Sequence, residues 1–341
     1  MIISTDPPAD LSNTDAGHGL DDAADAGPES ELRSFNIDAQ WHGERFDRAL
    51  AALVPEFSRS YLQQLIEAGA VSLNGAAALR PARKVKAGDQ GQVELRPTPQ
   101  SQAFKPEAMD IRVVHEDDHL LVLDKPAGLV VHPAPGNWSG TLLNGLLARD
   151  SRAALLPRAG IVHRLDKDTS GLMMVARTRQ AMDALVKMIA ARDVSRQYVA
   201  LAHRRWTGAA VRHVDAPIGR DPRNRLRMGV VDLQRSPGKA ASTTLELLAN
   251  AETGCWVKAS LGTGRTHQIR VHMAHVGHPL VADELYGGAT AAGMERQALH
   301  AFRLAFVHPV TGAALNFHCA PPPDILAALA VWGLRYNLSQ G

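Results

Sequence analysis

Cysteine is scarce in this 341-residue chain, with Cys255 and Cys319 the only two. Neither sits in a CxxC or other zinc-ligand spacing, so neither a disulfide framework nor a structural metal is indicated. This fits a reducing compartment, and a cytoplasmic location is expected. No apolar run approaches the roughly 20 residues that a helix needs to cross a bilayer, so no membrane partner is expected. The N-terminus lacks a basic start followed by an apolar core, so no secretory signal is visible. No stretch repeats at a fixed period, which argues against a solenoid or propeller.

What is there has the balance of a globular protein: 45% hydrophobic and 21% charged residues. The length suggests two domains, or one large domain with an appendage. The net charge of +2 is unevenly spread. Residues 1–35 hold Asp6, Asp10, Asp15, Asp21, Asp22, Asp25, Glu29 and Glu31 against Arg33 alone, a net of −7 that leaves +9 on residues 36–341. A basic body suits a polyanion, because each Lys or Arg that neutralises a phosphate releases a counterion. Many ordinary proteins carry such a charge, so it does not decide the matter.

Residues 1–35 are poor in large apolar side chains and are expected to be a disordered acidic tail. Residues 43–96 read as a small module. Phe46, Leu50 and Leu53, then Leu62, Leu65 and Ile66, have helical spacing, with Ser58 placed to cap the second helix. Residues 70–75 alternate like a strand and end in Asn74-Gly75, a turn pair. A second short strand is expected over 91–95. Residues 97–108 carry Pro and Gln without periodicity and read as a linker. From 109 onward, strand-like runs (111–114, 120–123, 197–202, 243–248, 256–260, 299–306) mix with helical spacing over 178–192 and 264–276. The mixture lacks regular βαβ alternation, so an α+β domain on a mixed, largely antiparallel sheet is expected.

Two runs carry the chemistry. In Gly160-Ile-Val-His-Arg-Leu-Asp-Lys-Asp-Thr-Ser-Gly171, the apolar flanks suggest a loop held between buried strands. Asp166 and Asp168 there can be paired carboxylates, a nucleophile with a neighbour, or a structural loop pair. In the run 261–280, Gly262 and Gly264 suggest a tight loop entering a helix at or just after Arg265, with Arg270 five residues inside. The same run holds His267, His272, His275 and His278, a tempting metal set. No pair has the i, i+4 spacing that sets two ligands on one helical face, and no HExxH occurs, although His272 and His275 could be neighbours.

These two runs resemble the signatures of the RluA-type pseudouridine synthase family. Residues 123–147, 195–206 and 296–312 also fit that family, and the order is the family's. Residues 43–96, with ERFDRALAAL, SRSYLQQLIEAGAVSLNG and KVKAGDQGQVEL, resemble the S4 RNA-binding domain. Within the family the chain is most similar to the branch acting on the large ribosomal subunit. The resemblance implies conversion of uridine to pseudouridine in RNA without cofactor or metal. Carried over, Asp166 is the catalytic aspartate, Arg270 the basic residue that pairs with it, and Tyr198 the active-site tyrosine that stacks on uracil and could serve as the base that removes the C5 proton. Arg164 is the arginine that fills the gap left by a flipped nucleotide. Arg59, Arg80, Arg83, Lys84 and Lys86 are candidates for RNA phosphates. His163, Lys167, Asp168, Thr169 and Gln268 shape the loop or touch RNA.

The implied partner is 23S rRNA, free or within a pre-50S or 50S particle, met by a monomer. The implied target region is helix 69, with other 23S rRNA sites the alternative. Two positions depart from the family's pattern: Gly262, where an acidic or bulkier residue is common, and Ala282, where Gly is common. The alternatives are an RNA-binding assembly protein without chemistry and a hydrolase that releases the base. Pseudouridine, no product, or free uracil tells the three apart.

Overall fold

The computed structural model describes residues 31–95, 103–134, 136–222, 224 and 227–337. Most of the expected acidic tail (1–30) and part of the expected linker (97–102) lie outside them. The chain divides into two compact units, residues 1–98 and 99–341.

The first unit holds β1 (Glu31–Asn36), α1 (Phe46–Leu53), α2 (Arg59–Glu67), β2 (Val71–Leu73), β3 (Ala76–Ala77) and β4 (Gln90–Leu95). Its sheet runs β1–β4–β2–β3, antiparallel throughout. Phe46, Ala49 and Leu50 of α1 pack with Leu62, Leu65 and Ile66 of α2 over Val71, Leu73 and Val93. The helical spacing in the sequence is this buried seam. Ser58 caps α2 by accepting from the Tyr61 amide. Strand β1 corrects the expectation of disorder over 31–35. Its own side chains are mostly exposed, but Phe35 is buried and all six residues pair along β4. The order comes from a partner strand about 60 residues away, which local composition cannot report.

Asp47 is fully buried on α1 and accepts from Arg45, Arg59 and Gln63. Burial opposes its charge, yet these bonds outweigh the penalty and hold its pKa well below the usual carboxylate range. Because the folded pKa is depressed, this stabilisation is present above about pH 4 and is lost as pH falls below it. Asp47→Ala is expected to destabilise the first unit by about 2 kcal/mol at pH 7, and by less at pH 3. Urea unfolding at the two pH values checks this, and equal losses at both would contradict it.

The second unit holds β5 (Arg112–Glu116), β6 (Leu120–Lys125), α3 (Leu142–Arg149), β7 (Ser170–Ala176), α4 (Arg179–Ala191), β8 (Ser195–His203) and β9 (Val211–Asp215). There follow β10 (Ile218–Arg220), β11 (Met228–Val230), β12 (Gly238–Lys239), β13 (Ser242–Asn250), β14 (Gly254–Leu261), α5 (Gln268–His275), β15 (Leu299–Val307), β16 (Ala314–His318) and α6 (Pro323–Val331). The main sheet runs β5–β6–β7–β15–β8–β14–β13–β9, with β16 also on β15. Only β7–β15 is parallel, so the sheet is mixed and largely antiparallel, and the fold is α+β as expected.

Strand alternation sorts the core onto two faces. Leu121, Leu123, Met173, Val175, Tyr198 and Ala200 lie in one cluster, which includes Leu142, Leu143 and Leu146 of α3. Leu120, Val122, Leu172 and Met174 lie on the other, with Ala181 and Leu185 of α4. Both faces are covered, which is why β6 and β7 read as unbroken apolar runs. Residues 103–107, inside the expected linker, are tied to α3: Asn144 donates to the Lys105 carbonyl at 2.8 Å, and the Glu107 amide to the Asn144 carbonyl at 3.1 Å.

Candidate active site

Asp166 sits on the loop that enters β7, and three consecutive carbonyls hold that loop. The Asp166 carbonyl accepts from the Thr169 amide at 3.1 Å. The Lys167 carbonyl accepts from Lys125 Nζ at 2.9 Å and the Gly128 amide at 2.9 Å. The Asp168 carbonyl accepts from Arg296 Nη1 at 2.8 Å. Lys125 is fully buried at the end of β6 and also donates to the carbonyls of Pro126 and Leu129, so its ammonium joins two loops. Gly171, just beyond, is at φ +114°, and a Cβ there would lie 2.3 Å from the Ala301 carbonyl oxygen where β7 meets β15. His163 accepts from the Met174 amide at 3.0 Å and covers part of β7. Thr169 is buried and accepts from Gln297 at 3.3 Å.

The second run supplies the cation. Helix α5 begins at Gln268, not near Arg265, because His267 takes a left-handed conformation (φ +56°) ahead of it. Arg270 is therefore the third residue of the helix. Its Nη1 donates to Asp166 Oδ2 at 3.1 Å. Its Nε and Nη2 donate to both oxygens of Asp283, at 2.8 and 2.7 Å. Burial works against its charge, but Asp283 and Asp166 outweigh that and raise its pKa. The guanidinium also lies 5.1 Å from the centre of the Tyr286 ring, a cation–π contact. Thus Asp283 orients Arg270, and Arg270 orients Asp166.

Asp283 and Tyr286 were missed by the sequence reading. The burial of Arg270, which calls for paired carboxylates, is not legible in local spacing.

The histidines do not converge. His267 meets Tyr286 Oη at 2.8 Å and faces Asp166 Oδ1 at 3.9 Å, and burial lowers its pKa although Asp166 works to raise it. His272 bridges Thr243 Oγ1 and the Ala216 carbonyl. His278 faces the carbonyls of His203 and Arg204. Among the described residues no group of three or more metal-ligating side chains gathers. Gln268 shapes the loop, accepting from Thr263 Oγ1 and the Arg265 amide and donating to the Ser242 carbonyl and Thr243 Oγ1.

A cavity of about 760 Å³ opens over Asp166. Tyr198 and Arg164 line it, with Arg158, Arg192, Arg196 and Arg265. Among the described residues Asp166 is the only carboxylate in its lining. Such a cavity has an excess of positive charge and attracts a polyanion. Arginine also suits this setting because its planar fork can stack on a base or grip a phosphate. Tyr198, on β8, is 6% exposed, and burial pushes its phenol up to about 12. In the first unit, Arg80, Arg83, Lys84 and Lys86 are exposed around buried Val85. Backbone bonds tie that run to the start of α1, from the Phe46 amide to the Arg83 carbonyl and from the Asp47 amide to the Pro81 carbonyl. Arg59 differs, since its guanidinium is engaged by Asp47.

Residues 119–275 match the family model described as RNA pseudouridylate synthase, and residues 44–90 match the S4 domain. The chain is 47% identical over 312 residues to the ribosomal large subunit pseudouridine synthase D of Xanthomonas campestris pv. campestris, covering 87% of this chain and 91% of that one. The chain belongs to the RNA pseudouridylate synthase family. The protein of the same name from Pseudomonas aeruginosa is 42% identical over 312 residues, with 88% and 95% coverage. Among solved structures, human RNA pseudouridylate synthase domain containing 1 superposes with a TM-score of 0.52 at 26% identity, covering 70% of this chain and 94% of that one. The cavity thus lies in the part of the chain that carries the family's signatures.

One departure from the family's pattern now has a physical reading. Ala282, beside Asp283, has φ +58°, a left-handed backbone that glycine adopts without cost. Ala282→Gly is expected to raise stability by about 0.5–1 kcal/mol, because relief of that strain exceeds the entropy glycine adds to the unfolded chain. Urea unfolding checks this, and a loss of stability would contradict it.

Proposed function

We propose that the chain isomerises uridine to pseudouridine in large-subunit ribosomal RNA, with Asp166 as nucleophile. The observation that carries this reading is that, among the described residues, a single carboxylate, oriented by Arg270 and Asp283, shares its cavity with six arginines. In the reaction the N1–C1′ bond breaks, the uracil turns, C5 bonds to C1′, and the C5 proton is lost while N1 gains one. Asp166 either bonds C1′ or promotes a glycal, as carboxylates do at anomeric carbons. Tyr198 acts as the neutral phenol, because ionising a group with a pKa of about 12 at pH 7 costs about 7 kcal/mol. Its ring is the stacking face for uracil. Arg164, exposed at the cavity mouth, fills the place of the flipped nucleotide. Arg80, Arg83, Lys84 and Lys86 of the S4 unit meet RNA phosphates, with Arg59 a weaker contributor. The same reading places a monomer in the cytoplasm, acting on helix 69 of 23S rRNA within a pre-50S or 50S particle.

Incubation with ribosomal RNA carrying 5-tritiated uridine tests the activity. Tritium release with pseudouridine as the recovered nucleoside is expected. Free uracil would mean a hydrolase, and no release would mean a binding protein.

A further inference from the structure

Arg196 stands apart from every other buried cation in the second unit. It lies on β8 two residues before Tyr198, so both side chains leave the same face of the strand. It lines the same cavity as Asp166 and is 7% exposed. Its Nε is buried without a hydrogen-bond partner, and among the described residues its guanidinium has no hydrogen bond or ion pair. Lys125 and Arg270, by contrast, are each held by three or more acceptor contacts. Gly264 makes room for it. The backbone there is not left-handed, yet an added Cβ would lie 2.8 Å from Arg196 Nη1.

A guanidinium whose Nε is buried without an acceptor is costly, and a protein gains little stability by burying one while its other nitrogens face a cavity. Its acceptor must arrive with the substrate. The only carboxylate in the cavity lining is already bonded to Arg270. Arg196 is buried, while that carboxylate is partly exposed. C1′ has the base on one side and the sugar–phosphate chain on the other. A group on the same strand face as the ring on which uracil stacks, in the same cavity, is on the side of the base.

We propose that Arg196 is a specificity-determining residue that donates to the C4 carbonyl oxygen of the target uracil. This rests on the function proposed above. It follows that cytosine is rejected, because its 4-amino group would set donor against donor. It also follows that the detached base can be held while it turns. Rotation about the N3–C6 axis exchanges N1 with C5 and the C4 carbonyl with the C2 carbonyl. One fixed donor therefore meets a carbonyl oxygen both before and after the turn.

Arg196→Met tests this, with two readouts of opposite sign. Removing an unpartnered buried charge should raise the thermal midpoint or leave it unchanged. The same variant should lose about 10²-fold or more in kcat/KM, with RNA affinity within about twofold of wild type. Substrates with 4-thiouridine at the target, whose sulfur accepts poorly, should slow the wild type by about tenfold and leave Arg196→Met at its own unmodified rate. A lower midpoint would assign Arg196 to the fold. A weaker RNA affinity with a shallower salt slope and no thio effect would assign it to a phosphate. An equal thio effect in both proteins would remove it from the base. Each of these overturns the proposal. A wild type that forms no pseudouridine would instead overturn the function on which it rests.

Discussion

Asp166→Asn is expected to abolish pseudouridine formation, by at least about 10⁴-fold, with RNA affinity within about twofold of wild type. The amide keeps the size of the carboxyl group and an oxygen for Arg270 Nη1, which now donates to Oδ2 at 3.1 Å. Arg270 also keeps Asp283, so the cavity wall stays in place. What is lost is the anion that stabilises or bonds C1′ as the glycosidic bond breaks. Affinity is retained because phosphate contacts dominate RNA binding and none involves this carboxylate. Tritium release and filter binding check the two halves. Unchanged turnover would remove Asp166 from the chemistry, and a matching loss of affinity would make its role one of binding.

Asp283→Ala should do two kinds of damage at once. Asp283 is buried and grips Arg270 by both oxygens. Without it the guanidinium keeps one contact, to Asp166, in a site built for three. Removing one partner of a buried pair typically costs about 3–5 kcal/mol, because the other charge is left uncompensated. Turnover should fall by about 10²–10³-fold, since Arg270 then draws Asp166 from its reactive position. Asp283→Asn should fall between, keeping one acceptor. Urea unfolding and single-turnover rates give the comparison. An Asp283→Ala protein with wild-type rate and stability would show that Arg270 is positioned without it.

The residues differ in how plainly their roles stood in the sequence. Asp166 stood out because its loop is local, with apolar flanks that become β7 on one side. The flank before it, Ile161-Val162, does not form a strand; Ile161 makes only an isolated bridge to Val175. The Arg270–Asp166 contact spans 104 residues and was reached only through family resemblance. Asp283 lies 13 residues past Arg270, across a helix end and a turn that no periodicity announces. Lys125 looks like a solvated strand end, and its burial becomes visible only when three carbonyls close on it. Arg196 lies just before the strand-like run 197–202, and alternation gives a face but not what covers it. Strand β1 hid inside an acidic composition, and the parallel β7–β15 contact joins segments about 130 residues apart. Local signals reported helices, caps and turns. Pairings made over long separations were silent because their energy comes from the partner strand.

The most direct test is a map of pseudouridine in large-subunit ribosomal RNA from cells that lack this chain, cells that regain it, and cells given Asp166→Asn. The account predicts that specific pseudouridines vanish in the first, return in the second and stay absent in the third, with helix 69 the expected region. Pseudouridines unchanged by loss of the chain, or restored by Asp166→Asn, would contradict it.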